Sequence, residues 1–571
     1  MSATVETLRP AQDEAAWDLF VFRKARERLR SEDLKQQLLS SLRPARSGQH
    51  QDRLLNCLVR AGELECALAD LDSPEFSRAA EAVDALAAQA LQADPRPPAN
   101  ALLQAFERLQ LPHTVSVSHA EGFSYYGLHP LDFWDLCQRV RLETDSAAIV
   151  GIRSIGSTLS SIVRCALQGR GVEAQRMTVR PAGPPYQRRL QFTSGQMDWV
   201  REHLGRGSEF IVVDEGPGFS GSSFTAVGRA LRQAGVPNRR ILFLGSRSPE
   251  SSELQSRFDP EWNSFRSCSV VQGTRIPYGA KTYCAGGYWR QSRIPDQQEW
   301  PACWTQLERN KYLSADGRSL FKFEGFGRYG ESVLQRARQL AEAGLAPPVL
   351  GYDNGFVEYV SLGGEPVRAG RCDAESLRHL AKYCALRADA QRAPAPAPVS
   401  LESMLEHNLW VEFGLEPRGL QLPLEKLVMA DGRMMPHEWV ACEGQLMKTD
   451  GASHGDDHLF PGPTDIAWDL AGVIAEWNLG REQESFFVGE YARRSGDQAA
   501  SRLPAYLLAY SVFRMAWCRM GAAAMAAWDE THRLKREYLR HRRRVAALLG
   551  VDEDRSRRPG LPASLPAEQA A

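Results

Sequence analysis

The sequence has no Cys-x-x-Cys pair and no Cys/His cluster at zinc spacing, although it carries 11 cysteines in 571 residues. That excludes a disulfide framework and a structural zinc site, and it fits a reducing compartment. It also lacks an excess of either charge: 69 Lys and Arg face 70 Asp and Glu, a formal net charge of -1. A chain so balanced is not a general binder of nucleic acid or of a membrane surface. Long hydrophobic runs are missing too. The most apolar stretch, Leu503 to Trp528, is interrupted by Arg514 and Arg519 and reads as a buried helix pair, not a membrane span. The N-terminus is charged early (Glu6, Arg9, Asp13, Glu14) and has no apolar signal core, so a cytoplasmic location is expected. Hydrophobic residues at 43% and charged residues at 24% describe an ordinary globular chain. Its length suits roughly three to four domains.

What the sequence does contain is a pair of phosphate-holding patterns. Phe210 to Val213 is a short apolar run, followed by Asp214-Glu-Gly-Pro-Gly-Phe-Ser-Gly-Ser-Ser-Phe224 and a helical pattern from Thr225 to about Ala234. In such a strand–loop–helix unit the backbone N–H groups and the helix N-terminus can hold a phosphate, while two acids just past the strand can hydrogen-bond a sugar diol. An ATP-binding P-loop would need Gly-Lys-Ser/Thr at the loop's end, and this loop has no lysine. Ala147 to Leu159 repeats the strand–loop–helix pattern, with Arg153, Ser154, Gly156 and Ser157 as donors for a diphosphate. Between the two lies Val179 to Arg189, where Gly183, Pro184 and Pro185 imply an irregular, mobile segment. Its Arg180, Arg188 and Arg189 suit a lid over anionic oxygens, because guanidinium forks match phosphate geometry.

These three segments, in this order, resemble the type I phosphoribosyltransferases over about residues 112–250. The resemblance implies a parallel-sheet core, phosphoribosyl diphosphate as co-substrate and magnesium bridging its diphosphate. It assigns Asp214 and Glu215 to the ribose hydroxyls, and Gly218, Ser220, Gly221, Ser222 and Ser223 to the 5-phosphate. Arg153, Ser154 and Gly156 would meet the diphosphate, and Arg180 and Arg188 would close over it. One departure is that five residues (216–220) separate the second acid from the Gly of the Ser-Gly pair, where the family has four. Ahead of the first loop, Ser116 to Tyr126 carries Phe123, Tyr125 and Tyr126, which either stack on an acceptor ring or pack beneath a loop. His119 or Glu121 could read the edge of such a ring.

After about residue 300 the character changes. Asn310 to Glu324 reads as strand, turn at Asp316-Gly317 and strand bearing Lys322. Glu331 to Ala343 is helical, with Glu331 and Glu342 available to pair with that lysine, and Gly355 to Glu365 could be a hinge strand. Further on, Asp431 and His437 stand six residues apart in a loop, Leu446 to Asp450 is a strand ending in an acid, and Thr464 to Ala471 opens a helix. This layout resembles the aminoglycoside phosphotransferase and choline kinase group over about residues 305–545. The resemblance implies ATP and magnesium, with Lys322 on nucleotide phosphates, Asp431 accepting the substrate's hydroxyl proton, Asp450 and His437 at the metal, and Asp469 as the structural acid of the helix. A literal His454-Gly-Asp-Asp-His458 also occurs, but it lies too near Asp465 to leave room for a hairpin. It reads as a solvated loop, or else as a metal or phosphate site.

The expected architecture is α/β multidomain. A helical region (1–110, a cap or oligomerisation element) would precede a phosphoribosyltransferase domain (111–255) and a connecting segment (256–304). A bilobal α+β kinase-like domain (305–550) and a disordered tail (551–571) would follow. The expected activity is phosphoribosyl transfer to a small-molecule acceptor with release of diphosphate, beside an ATP-dependent kinase-like activity. The alternative is a sensor that binds a nucleotide or phosphoribosyl diphosphate without turnover. No nucleic-acid or membrane partner is expected, and homo-oligomerisation is left open.

Overall fold

The computed structural model describes residues 14–21, 26–43, 50–92, 100–183, 187–218, 220–249, 261–271, 275–368, 370, 372–393, 395–396, 400–416, 419–442, 444–457, 459–460, 462–525 and 527–553. Almost all of the expected tail, together with Pro184, Pro185 and His458, lies outside these residues.

Near-continuous apolar runs such as Phe210–Val213 need cover on both faces, which is what a parallel sheet provides. Five strands form one, in the spatial order Glu173–Val179, Ser146–Ile152, Glu209–Val213, Ile241–Gly245, Arg266–Ser269. Successive residues serve opposite faces. Ile149, Ile211 and Val213 join one core, while Ala148, Val150, Phe210 and Val212 join another with Phe224, Val227 and Leu231 of the helix Ser222–Gln233. The chain runs from Ser146–Ile152 to the strand on one side and then crosses to Glu209–Val213 on the other. The strand order therefore reverses between these two neighbours.

The first face is covered by the helix Ile155–Gln168 and by helices of the N-terminal region, Ser31–Leu42, His50–Asp70 and Phe76–Ala90. His50–Asp70 lies so close that a Cβ on Gly62 would sit 2.0 Å from Thr158 Oγ1. Arg176, on the edge strand, pairs with Glu65 at 2.7 Å and with Asp84 at 2.5 Å. The Ala- and Leu-rich N-terminal helices, read from sequence as a cap, are thus a structural layer of the α/β unit. Arg26–Arg30, inside the stretch read as helical, is instead a strand paired with Thr114–Ser118, whose alternating Val115 and Val117 are buried.

A second, antiparallel sheet has the order Val349–Asp353, Phe356–Val360, Ser319–Phe323, Lys311–Ser314, Ala280–Tyr283. Its last strand falls within the segment read as a connector. The helix Arg328–Glu342 follows the central strand, and a helical layer (Ala374–Ala390, Leu401–Phe413, Ala467–Glu476, Arg481–Ser495) completes this half. Leu503–Ala524 is a single helix packed along Trp528–Leu549, where the sequence suggested a pair. Among the described residues no helix is long and apolar enough to cross a membrane.

Candidate functional sites

At the C-terminal edge of the parallel sheet the two loops open side by side, because the strands that feed them are neighbours in register. Arg153 N–H donates to Val179 O at 2.8 Å, and Ser154 then takes φ +116°, a region an L-residue occupies at a cost of about 1–3 kcal/mol. Ser154 Oγ donates to His119 O at 3.0 Å. The helix Ile155–Gln168 begins against the next strand: a Cβ on Gly156 would lie 2.8 Å from Val213 O. Glycine is required there for close approach.

In the second loop, Asp214 accepts the Glu215 N–H at 2.9 Å, and Glu215 Oε2 accepts the Gly122 N–H at 2.6 Å. Burial lifts Asp214 to about 7, with Glu121 adding to the rise and Arg180 opposing it. Burial, then Glu121 and Asp214, push Glu215 well above the carboxylate range. Three carboxyl groups thus crowd one spot, an arrangement that a diol or a cation would relieve. Gly218 (φ +51°) and Gly221 (φ +67°) let the loop turn into the helix Ser222–Gln233, while Ser220 Oγ accepts the Ser222 N–H at 3.2 Å. Arg247 Nη2 donates to Gly218 O at 2.6 Å. Sequence reasoning missed this arginine, which the next strand brings back to the loop.

The arginines between the loops are fixed at their base. Arg180 forks onto Asp70, with Nε at 3.1 Å and Nη2 at 2.5 Å, and Arg153 Nη1 reaches the same carboxylate at 3.3 Å. Arg188 Nη1 donates to Gly183 O at 2.5 Å, within a turn closed by the Ala182–Arg189 bridge. Of the aromatic residues read as an acceptor pocket, Phe123 and Tyr125 are buried and only Tyr126 is open, at 39% exposure. His119 stacks on Tyr125, so most of this segment is packing.

In the second half, Lys322 is buried on the central strand and ion-pairs with Asp450; it also donates to Ser453 Oγ at 2.8 Å and meets Glu324 at 3.0 Å. Glu331 and Glu342 do not reach it. Glu331 points outward near Arg60 at 4.0 Å, whereas Glu324 lies two residues along the strand and so on the same face. Lys311, on the adjacent strand, also pairs with Asp450 at 3.1 Å. Against burial, Lys311 and Lys322 hold Asp450 well below its usual range.

Asp431 is fully buried. It accepts from Tyr383 OH at 2.5 Å and faces Lys448 at 3.6 Å and His454 Nδ1 at 3.4 Å. Against burial, Lys448 and then His454 hold it at about 2. The backbone around it is pinned from below: the N–H groups of Asp431 and Gly432 both donate to Asp469 at 2.9 Å. Arg387 lies 3.5 Å from the same carboxylate, which burial raises to about 6.

His454 is buried, with Nε2 3.3 Å from Asp450, so the solvated-loop reading of that residue is overturned. Glu438, Asp450 and His454 offer three ligand atoms within 4.8 Å of one another. His437, assigned from sequence to that place, stacks on Trp289 at 5.8 Å, and its neighbour Glu438 turns inward. Lys448, which sequence reasoning passed over, ends the strand Gln445–Lys448 and ion-pairs with Glu438 at 2.7 Å. Beside these groups a cavity of about 160 Å³ runs between the antiparallel sheet and residues from Arg433 to Phe460, with Trp517 of the helix Leu503–Ala524 also on its wall. Leu313, Leu320, Val360 and Val440 give it apolar walls; Lys311, Glu438, Asp450 and Asp457 line its polar end.

No family model and no curated protein matches this chain. Solved structures do. A choline/ethanolamine kinase family protein from Mesorhizobium loti is 17% identical over 43% of this chain and 86% of its own, with a TM-score of 0.30. Choline kinase LicA from Streptococcus pneumoniae is 13% identical over 41% and 89%, also at 0.30. A spectinomycin phosphotransferase is 12% identical over 41% and 84%, at 0.29.

Proposed function

We propose that the chain transfers a phosphoribosyl group from phosphoribosyl diphosphate to an acceptor, and that its C-terminal half is an ATP-dependent kinase-like domain. The observation that carries the first part is the crevice at the reversal of strand order, where ligands of open α/β sheets bind. Arg153–Gly156 and the residues 214–218 and 220–223 follow the two strands that border it, one offering donors for a diphosphate and the other an acid pair and a helix N-terminus. In the reaction the bond from the anomeric carbon to the diphosphate oxygen breaks and a bond to the acceptor forms, through a cation-like transition state. Such a displacement needs positioning and charge more than a protein nucleophile. Asp214 and Glu215 hold the ribose hydroxyls, Gly218, Ser220, Gly221, Ser222 and Ser223 hold the 5-phosphate, and Arg153, Ser154, Gly156, Arg180 and Arg188 hold the leaving group. Magnesium on the diphosphate supplies further charge neutralisation.

In the second half, Lys322 paired with Asp450 and Asp469 bracing the Asp431 loop support a kinase-like arrangement. Glu438, Asp450 and His454 would hold a metal that neutralises phosphate charge. A second reading has its own observation: Asp431 is fully buried and tied to Tyr383 and Lys448, and it does not line the cavity. On that reading this half binds a nucleotide without turnover.

Calorimetry separates these possibilities. Phosphoribosyl diphosphate with magnesium should bind wild type but not Asp214→Asn; ATP with magnesium should bind wild type but not Asp450→Asn. Failure of the first ligand to bind removes the phosphoribosyl reading. Binding of ATP without phosphate release to any hydroxyl acceptor favours the second reading for the C-terminal half.

A further inference from the structure

Asp70 is the last residue of the helix His50–Asp70, the end of a helix where a carboxylate is opposed by the helix dipole. Its arginine partners account for it. Three arginines from separate segments converge on this one side chain: Arg180 at 2.5 Å, Arg153 at 3.3 Å and Arg26 at 3.9 Å. A fourth, Arg188, lies near enough to Arg180 and Arg26 that, after burial, their charges press its own guanidinium down. Three cations thus share one carboxylate, with Arg188 held beside them on Gly183 O, and with side-chain exposures of 15% for Arg153 and 26% for Arg180 they are only partly screened by water. The cluster therefore favours an anion of more than one charge. The grip on Asp70 has the form such an anion would take: Nε and Nη2 of Arg180 meet the two carboxylate oxygens as a fork, the geometry in which arginine holds two phosphate oxygens. Arg180 also reaches electrostatically to Asp214 in the crevice.

We propose that Arg26, Arg153, Arg180 and Arg188 form a diphosphate subsite and that Asp70 is its built-in competitor, holding the Arg180 fork until a more highly charged diphosphate displaces it. This rests on the phosphoribosyl reading of the crevice and adds to it two residues, Arg26 and Asp70, contributed by the N-terminal region. Asp70 is a positioning residue: it acts on the ligand only through the arginines.

The test is calorimetric titration of the full chain with inorganic diphosphate, and separately with phosphoribosyl diphosphate and magnesium, for wild type, Asp70→Asn and Arg26→Gln. Removing a competing anion should tighten inorganic diphosphate by about tenfold in Asp70→Asn, the change expected for ~1.4 kcal/mol. Arg26→Gln should weaken it several-fold, and added salt should shrink both effects. A folded Asp70→Asn protein that binds diphosphate no better than wild type overturns the proposal, since a purely structural Asp70 would give that result. If Asp70→Asn does not fold, Arg26→Gln decides alone, because Arg26 is partly exposed; unchanged affinity in that variant overturns the subsite. Should inorganic diphosphate follow these expectations while phosphoribosyl diphosphate fails to bind, the subsite stands and the phosphoribosyl reading falls. Should phosphoribosyl diphosphate bind equally to all three proteins, the reading stands and the subsite falls.

Discussion

Replacing Asp469 with asparagine tests whether the loop carrying Asp431 is held as the structure shows. The substitution conserves volume, so no cavity opens in the core around Trp468 and Leu470. It changes only polarity. Asp469 accepts two backbone N–H groups, each at 2.9 Å, and faces the buried Arg387 at 3.5 Å. An asparagine keeps one acceptor oxygen and turns an NH2 toward the second N–H, setting donor against donor. Each hydrogen bond to a charged group is worth roughly 1.5–3 kcal/mol, and one is lost outright while the other becomes neutral. Arg387 keeps Gly451 O at 2.8 Å and Met429 O at 2.7 Å, so it is not stranded, but its nearest negative charge is gone. The expected loss is about 3–5 kcal/mol, in line with breaking one side of a buried pair. Urea unfolding followed by tryptophan fluorescence reads it directly, because Trp439, Trp468 and Trp477 are all buried in this half. A loss below about 1 kcal/mol, with unchanged ATP affinity, would refute the claim that Asp469 organises the loop.

Four further outcomes follow from the first half. Burial and Glu121 raise Asp214 to about 7, so its carboxylate is the minor form below that pH; the calorimetric affinity of wild type for phosphoribosyl diphosphate should fall as pH drops from 8 to 6, and a flat profile would count against Asp214 as a ligand. The same shift sets the sign for stability: the group's contribution is fully present below its ordinary value of 3.8 and is lost as pH rises through about 7, so ligand-free protein melts lower at pH 8 than at pH 6 if this group dominates. Arg176→Met leaves the buried Glu65 without its partner and should cost about 3–5 kcal/mol at pH 8, less at pH 5 where Glu65 can take a proton; equal losses in urea melts at both pH values would count against the pairing. Gly156→Ala forces a Cβ to 2.8 Å from Val213 O and should weaken calorimetric binding of phosphoribosyl diphosphate while leaving ATP binding intact.

What the sequence made legible was local. An apolar run followed by a glycine-bearing loop and a helical period is written within about 15 residues, and both such units fold as expected. That the two loops face one crevice was not written there, because strand order depends on pairings between residues some 60 positions apart. The partner of Lys322 shows the same limit. Helical spacing offered Glu331 and Glu342, but helix phase is set by what the helix buries, and Arg328–Glu342 buries Tyr329, Val333 and Leu340 instead. The strand period points to Glu324, which lies 3.0 Å from Lys322. Around His437 a short turn brings both His437 and Glu438 to the cavity, and it is Glu438 that joins Asp450 and His454, a choice that no strand or helix period constrains. The N-terminal helices carried an apolar face but nothing to say which surface it covers.

The short segment His119–Tyr126 then takes on a significance its composition did not suggest. On one side Gly122 N–H is held by Glu215, and the carbonyl of His119 by Ser154, one residue from each loop of the crevice. On the other, Phe326 N–H donates to Phe123 O at 2.8 Å, Tyr329 OH accepts the Ala120 N–H at 3.1 Å, and Arg309 reaches Ser124 O at 3.3 Å and Ser453 O at 3.5 Å. Ser453 is itself a partner of Lys322. The helix His50–Asp70 makes a parallel bridge, with Asp70 at the arginine cluster and Glu63 paired to Arg328 at 3.1 Å beside the glycine turn of the second half. Phe321, Phe323 and Phe326 are buried in the same core as Ile149 and Ile211. Neither half therefore has a complete interior without the other, and the two sites are walls of one packed unit, not passengers on a linker.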